Sequence, residues 1–595
     1  MTTRFMALVI AGLLAAPALA QQSADAVAPE AATEETAFVR LSPAAQEALD
    51  LKGQGLPVTA DDWMVAAAHP LAVEAGADVL RRGGSAADAM IAVQAVLGLV
   101  EPQSSGLGGG AFLVWYDAAS GALTTLDGRE TAPLAARPTH FLDDTGAPLG
   151  FYDAVVGGRS VGTPGTPALL QAAHDRWGTQ DWAGLFDPAI RLAEEGFTVT
   201  PRLASLVAEE PEDRLRRFPE TAEYFYPGGT AIAAGDVLRN PDYAQVLRAL
   251  AQRGSAAFYD GPIAQAIVER VQAEGGLLSA QDFDTYRVIE RPPVCVPYRA
   301  AEVCGMGPPS SGALTVGQIL GMLEGTDLAA LGPESPAAWT LIGDASRLAF
   351  ADRGRYIADS DFVPLPLKGL VAAPYLAERA GQLSPDRALE EALPGEPGWD
   401  HAMLWGDDAA LELPSTSHIS IVDSAGNALS MTTTIENAFG SRLFVRGFLL
   451  NNELTDFSFR THDAGRPIAN RLEPGKRPRS SMAPTIVMQD GAPRLVVGSP
   501  GGSQIIGYVA QAIINTLDFG MDPQQAVAAP HLLNRFGTFE LEEGTAAAAL
   551  EAPLQAAGYK TSVRALTSGL HLIAIGQGGL TGGADPRREG IALGE

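Results

Sequence analysis

A layered α/β sandwich is the fold class that this sequence predicts. Three observations lead to it: strand-like segments fall in two blocks, one near 111–126 and one after Pro414, helical apolar patterns adjoin each block, and no internal repeat divides the chain into independent beads. Hydrophobic residues make up 46% of the 595 and charged residues 19%, a balance that supports a large buried core and is unlike that of a disordered chain.

The elements follow in order. Arg4, the apolar run Phe5–Leu14 and the small residues Ala18-Leu19-Ala20 describe a secretory signal over 1–20, too short for a spanning helix. Residues 21–60, rich in Ala, Glu and Gln, read as a low-complexity leader, with order beginning near Met64. Leu71–Leu80 has helical spacing and stops at Gly83-Gly84, after which Ser85 caps a helix over Ala86–Val100. A glycine-rich turn, 104–110, leads into a strand at Ala111–Tyr116 and a returning strand at Leu123–Leu126. Residues 165–290 are mostly helical, including Ala264–Glu274, then short strands carry Cys295 and Cys304, and helix resumes to about 405 after the turn Pro308–Gly312. Residues 416–435 alternate, are rich in β-branched types and are broken by Asp423–Asn427, a β-hairpin pattern. Strands at Thr485–Met488, Leu495–Gly498 and Leu570–Ile575, with a helix at Ile505–Leu517, complete the second block.

Composition narrows the function. With 41 Lys+Arg against 70 Asp+Glu the formal charge is −29, which excludes nucleic acid as a natural partner. Gln21 rather than Cys follows the signal, and no later window offers about 18 uninterrupted apolar residues, so the reading is an exported chain without a membrane anchor, periplasmic or secreted. Cys295 and Cys304 form a disulfide in an oxidising compartment or stand as two buried thiols. Two cysteines without a paired histidine pattern make no zinc site, and no metal is expected.

Three groups of residues could carry chemistry. Gly106-Leu-Gly-Gly-Gly110 precedes a strand and lacks a Gly-Lys-Ser/Thr ending, so it is not a phosphate loop. Gly498-Ser-Pro-Gly-Gly-Ser503 stands between a strand and a helix, where the Gly501 and Gly502 amides could face an anion, although a tight turn is the simpler reading. Pro414-Ser415-Thr416-Ser417-His418 opens the hairpin; Thr416 there is an ordinary strand former unless the Ser415–Thr416 bond breaks, in which case its hydroxyl gains its own α-amine as general base. Arg129, Ser480 and Ser481 suit a carboxylate, and Glu453 and Asp456 suit an ammonium, which together describe an amino-acid zwitterion; singly, each is an ordinary surface or capping group.

These segments, in this order, resemble the γ-glutamyltranspeptidase family of N-terminal nucleophile hydrolases. The matching text includes Arg81–Ala89, Gly106–Gly110, Asp127–Pro133, Gly162–Gly165, Pro308–Gly312, Thr416–Ser420, Leu450–Glu453, Lys476–Met482, Gly498–Ser503 and Asp585–Arg587. The resemblance implies a four-layer αββα core made of two autoproteolytic subunits, a large one ending at Ser415 (61–415 after the leader) and a small one over 416–595. It gives Thr416 the role of nucleophile in cleavage and catalysis, Thr434 that of its hydrogen-bonding neighbour, and Gly501 and Gly502 the oxyanion hole. Arg129, Ser480 and Ser481 would hold the α-carboxylate of a γ-glutamyl group, and Glu453, Asp456 and Glu436 its α-amine. The implied activity is γ-glutamyl transfer and hydrolysis, with glutathione and other γ-glutamyl compounds as donors, amino acids or dipeptides as acceptors, and no cofactor. Glu436 stands where many members have Asn, Gly128 replaces a more usual aromatic residue, Ser417 a common second Thr, and the lid segment 458–474 is short and lacks an obvious tyrosine. The rival readings are a glutaryl or cephalosporin acylase using the same Thr416, and an uncleaved exported binding protein.

Overall fold

The computed structural model describes residues 41–595. The signal over 1–20 and the leader as far as residue 40 lie outside the described residues. The remainder of the expected leader is a correction: Ser42 accepts from the Ala45 N–H and caps a helix, α1 (Pro43–Gly53), and strand β1 (Val58–Ala60) pairs with the C-terminal part of the chain. A serine cap followed by proline is an ordinary helix start, masked in the sequence by the Ala-rich composition around it.

Strand β2 (Met64–Ala67) is followed by α2 (Pro70–Arg81) and by α3 (Ala86–Val100), which Ser85 and Asp88 start with a reciprocal capping box. The hairpin β3 (Gly110–Asp117) and β4 (Ala122–Gly128) comes next. Helices from Thr166–Trp177 to Ala280–Thr285 lead to β5 (Ile289–Arg291), β6 (Val294–Tyr298) and β7 (Ala301–Gly305). Cys295 and Cys304 face each other across β6 and β7 and are disulfide-bonded. Beyond α4 (Gly312–Leu323) and α5 (Pro336–Tyr356), helix does not run to 405 as expected: the last helix of this half ends at Ala380, and Pro394, Gly395, Pro397 and Gly398 keep the following stretch irregular. The second half supplies β8 (Ser417–Val422), β9 (Ala428–Thr434), β10 (Thr485–Gln489), β11 (Ala492–Gly498), α6 (Ile505–Leu517), β12 (His571–Gly576), β13 (Gly579–Ala584) and β14 (Ile591–Gly594).

Two seven-stranded antiparallel sheets result, in the orders β1-β13-β12-β11-β10-β7-β6 and β14-β2-β8-β9-β3-β4-β5. Both faces of each are buried. Leu113 and Trp115 on β3 join the core of α3 with Val93 and Leu97, while Val114 and Tyr116 point into the gap between the sheets with Ile486, Val496 and Ile573. Val487, Leu495 and Val497 turn the other way, onto Ile319 of α4 and Ile513 of α6. This period of two places helices outside both sheets, giving the αββα sandwich. The boundary expected at 415/416 is therefore a point in the chain and not in the fold, because β8 pairs with β2 and β9 with β3 at the centre of one sheet.

Candidate functional site

The β8–β9 hairpin sets the position of the expected nucleophile. Its register pairs Ser417 with Thr433, so Thr416 and Thr434 face each other at the open end, and Thr416 Oγ1 donates to Thr434 Oγ1 at 3.1 Å. At the closed end Asp423 accepts from the Asn427 N–H and from the Ala86 N–H at the start of α3, each at 2.9 Å, which fixes the hairpin to the helix layer. His418 is a core residue: its ring contacts Thr432 Oγ1 at 2.9 Å and Ser420 Oγ at 3.0 Å, and burial, then His571, hold it neutral, well below the ordinary histidine range.

The peptide bond before Thr416 is held on both sides. The Ser415 carbonyl accepts from the Gly501 N–H at 3.3 Å, and the Thr416 carbonyl from Arg588 Nη1 at 3.3 Å. Thr416 has φ 109°, a value that a β-branched residue rarely adopts and that stores about 1–3 kcal/mol. Gly501 and Gly502 have φ 133° and 56°, and a Cβ on Gly502 would meet the Leu413 carbonyl at 2.7 Å, so only glycine fits this turn without strain.

Charged groups converge on the same place. Arg129 follows the end of β4 at Gly128, where a side chain would begin 2.8 Å from Leu169 Cβ. Glu453 and Asp456 lie at the two ends of one 3₁₀ turn, a spacing that puts both carboxylates on one side. That turn is anchored by Asn451, which accepts from the Glu453 and Gly162 N–H groups at 3.1 and 2.9 Å and donates to the Gly108 carbonyl at 2.7 Å. Three sequence motifs are thereby tied together. The glycine cluster serves close packing here, since a Cβ at Gly109 would meet the Thr434 carbonyl at 1.9 Å. The basic run Lys476–Arg479 is buried, and it turns its Pro478 and Arg479 carbonyls to Arg129 at 3.2 and 2.9 Å.

Thr416, Thr434, Gly502, Arg129, Glu436, Glu453, Asp456, Ser480 and Ser481 line one cavity of about 20 Å³, room for roughly one water. Within it the partners differ from those expected. Arg129, 1% exposed, gives Nη1 to Glu453 and Nη2 to Asp456, so the carboxylate-binding and ammonium-binding groups neutralise one another. Ser480 Oγ accepts from the Met482 N–H at 3.1 Å. Ser481 Oγ is engaged by Glu412 and by Arg353 Nη2, the latter at 2.7 Å. Glu412, Arg353 and a fifth buried acid, Glu130, escaped the sequence reading, although Glu412 stands just before the expected cleavage point and Glu130 is next to Arg129. The short lid segment folds as a small hairpin, His462–Asp463 against Arg466–Pro467, and its Pro467 carbonyl accepts from the Gly406 N–H at 2.9 Å.

The acids are strongly shifted. Burial raises Glu453, Asp456 and Glu130, and burial followed by the charge of Glu453 pushes the Glu436 carboxyl up to about 8 from an ordinary 4.5. Between those two values the folded chain keeps a proton that the unfolded chain has released, so this contribution to stability is complete below about 4.5 and is lost as pH rises through about 8. The slope from one proton is at most about 1.4 kcal/mol per pH unit. Glu436→Gln in the uncleaved chain is expected to flatten the fall in urea midpoint between about pH 5 and about pH 8; an unchanged slope would contradict a proton on Glu436.

Comparison with known proteins identifies the family. The gamma-glutamyltranspeptidase family model matches residues 72–595. The chain belongs to the γ-glutamyltranspeptidase family. It is 37% identical over 545 residues to the glutathione hydrolase proenzyme of Bacillus subtilis (strain 168), covering 90% of this chain and 91% of that protein. It is also 35% identical over 547 residues to the acylase ACY 1 proenzyme of Pseudomonas sp. (strain V22), covering 90% and 94%. Among solved structures, the cephalosporin acylase from Bacillus halodurans superimposes with a TM-score of 0.79 at 27% identity, covering 91% of this chain and 97% of that one. Hydrolases and acylases alike are therefore among the proteins to which this chain is similar over about nine-tenths of its length. Among the described residues, no cluster of His, Cys, Asp and Glu could hold a metal ion, and no helix is long and apolar enough to cross a membrane.

Proposed function

We propose that this protein is an exported γ-glutamyl hydrolase and transpeptidase that makes its own nucleophile by cleavage between Ser415 and Thr416. One observation carries the reading: the Thr416 hydroxyl, the Thr434 hydroxyl and the Gly501 N–H converge on a single strained peptide bond. The Thr416 Oγ1 attacks the Ser415 carbonyl carbon, a C–O bond forms, the C–N bond breaks, and the departing nitrogen takes the hydroxyl proton. Gly501 stabilises the developing oxyanion, a donor whose loss in other acyl-transfer sites costs about 100-fold or more. Water then hydrolyses the ester, leaving Ser415 with a carboxylate and Thr416 with a free α-amine that serves as general base for the next acyl transfer. The Cys295–Cys304 disulfide supports an oxidising compartment.

In the cleaved enzyme Arg129 and Ser481 suit the substrate α-carboxylate, and Glu436, Glu453 and Asp456 its α-amine. Charge-assisted hydrogen bonds contribute about 1.5–3 kcal/mol each, and a donor without the amine leaves buried acids unpaired. Thr416 takes the γ-glutamyl group from glutathione or a similar donor, then passes it to water or to an amino acid or dipeptide. Release rates from a γ-glutamyl anilide and the matching glutaryl anilide test this directly, because only the α-amine differs. A preference for the γ-glutamyl compound of about 30-fold or more in kcat/KM, equivalent to about 2 kcal/mol, is expected. Equal or reversed rates would transfer the assignment to a glutaryl acylase, the reading that the likeness to acylases favours.

A further inference from the structure

Helix α1 lies before residue 72, where the family match begins, yet it reaches toward the nucleophile. It is seated in the core through Ala45 and Ala48, and Glu74 of α2 accepts from the Ser42 N–H at 2.6 Å. Its last turn carries Lys52, whose Nζ donates to the Arg588 carbonyl and to the Gly590 carbonyl, the latter at 2.6 Å. Both carbonyls belong to the short connection between β13 and β14, and an ammonium shared between them fixes the path of that connection. From the same connection Arg588 turns inward. It is 4% exposed, and its Nη1 donates to the Thr416 carbonyl at 3.3 Å. Its stem crosses Gly569, where a Cβ would meet Arg588 Cδ at 2.8 Å and Pro500 Cγ at 2.6 Å. The bare backbone at Gly569 thus seats Arg588 beside the loop whose next residue, Gly501, donates to the Ser415 carbonyl.

We infer that Lys52 and Arg588 form a relay that positions the nucleophile: Lys52 sets the path of the chain at 588–590, and Arg588, so placed, holds the plane of the Thr416–Ser417 peptide. Both are positioning residues, because each acts through the backbone of Thr416 and not on its hydroxyl, and α1 becomes part of the scaffold of the site. The inference rests on the role proposed for Thr416 above. While the Ser415–Thr416 bond is intact, Thr416 is fixed by a peptide link on each side. Once the bond is cut, Thr416 hangs from the end of β8 by the 416–417 peptide alone. Any tilt of that peptide moves Cα, and with it the attacking hydroxyl and the α-amine together. A misplacement of about 1 Å costs on the order of 100-fold in rate.

A double-mutant cycle on kcat for a γ-glutamyl anilide, expressed per cleaved chain, tests this. Arg588→Met, which keeps an unbranched stem and removes the donor, is expected to lower kcat about 100-fold with KM within about twofold. Arg588→Lys, which restores a donor and a charge, is expected to recover part of the loss. Lys52→Met is expected to lower kcat about tenfold in the parent chain and not at all in the Arg588→Met background, because it acts only through Arg588. Lys52→Gln, which can still donate to one of the two carbonyls, carries the same comparison if the methionine variant does not fold. A purely structural role would lower the yield of folded chain and leave kcat per cleaved chain unchanged, a result that would overturn the relay. Equal losses from Lys52→Met in both backgrounds would overturn it too, by separating Lys52 from Arg588. The rate of the Ser415–Thr416 cut, followed on denaturing gels, is expected to show the same pattern with no donor present. A parent enzyme that cuts itself but does not turn over the anilide would overturn the γ-glutamyl reading, and the cleavage rates would then decide the relay by themselves.

Discussion

Thr416→Ala is expected to leave one continuous chain with activity reduced by on the order of 10⁴-fold or more, the scale seen when a nucleophile is deleted. The variant loses the attacking oxygen for both reactions while keeping the fold, because among the described residues the side-chain hydroxyl hydrogen-bonds to Thr434 alone. A denaturing gel and a γ-glutamyl anilide assay on one preparation read both consequences. Two chains from the variant would place the cut elsewhere, and a single chain with wild-type turnover would show that cleavage is not needed. Thr416→Ser, which keeps the oxygen, is expected to cleave, more slowly or more quickly according to how the missing methyl relieves the backbone at φ 109°.

Arg129→Gln is expected to damage the protein in two ways. The family resemblance implies that Arg129 holds the substrate α-carboxylate. In the structure it also neutralises Glu453 and Asp456, with Glu130 4.0 Å away, in a region with almost no solvent contact. Breaking such a buried pair typically costs about 3–5 kcal/mol, because the remaining charges are left uncompensated. The urea midpoint of the uncleaved Thr416→Ala chain is expected to fall accordingly when Arg129→Gln is added, and to recover in part when Glu453→Gln joins it. In the active background, whatever enzyme matures is expected to show a KM for γ-glutamyl donors raised by at least about tenfold. An unchanged midpoint would mean that the acids are already protonated and that Arg129 does not stabilise them.

Much of this was legible in the residues. The hairpin at 416–435 and the helices at 86–100 and 505–517 have clear periodicity and clear boundaries, so they stand in the structure where they were expected. Helix α1 was hidden because an Ala-, Glu- and Gln-rich stretch has the same composition whether it packs or not; only its Ser-Pro start distinguishes it. The stretch from 381 to about 405 is expected as helix because of its Ala and Glu content, but Pro385, Pro394 and Pro397 with Gly395 and Gly398 keep it irregular. Of the residues singled out for their chemistry, Thr416, Thr434, Arg129, Glu436, Glu453 and Asp456 line one cavity. The pairing among them was not readable, since it depends on which side chains the fold brings within reach: Arg129 turns to the acids, and Glu412 stands beside Ser481.

Peptide mapping of the small chain, quenched in acid during turnover of a γ-glutamyl donor, tests the central claim most directly. The account predicts that the small chain begins at Thr416 and that the γ-glutamyl group is found on that residue's hydroxyl as an ester. An acyl group on any other residue, or a chain that turns over donor while Ser415 and Thr416 remain joined, would contradict it.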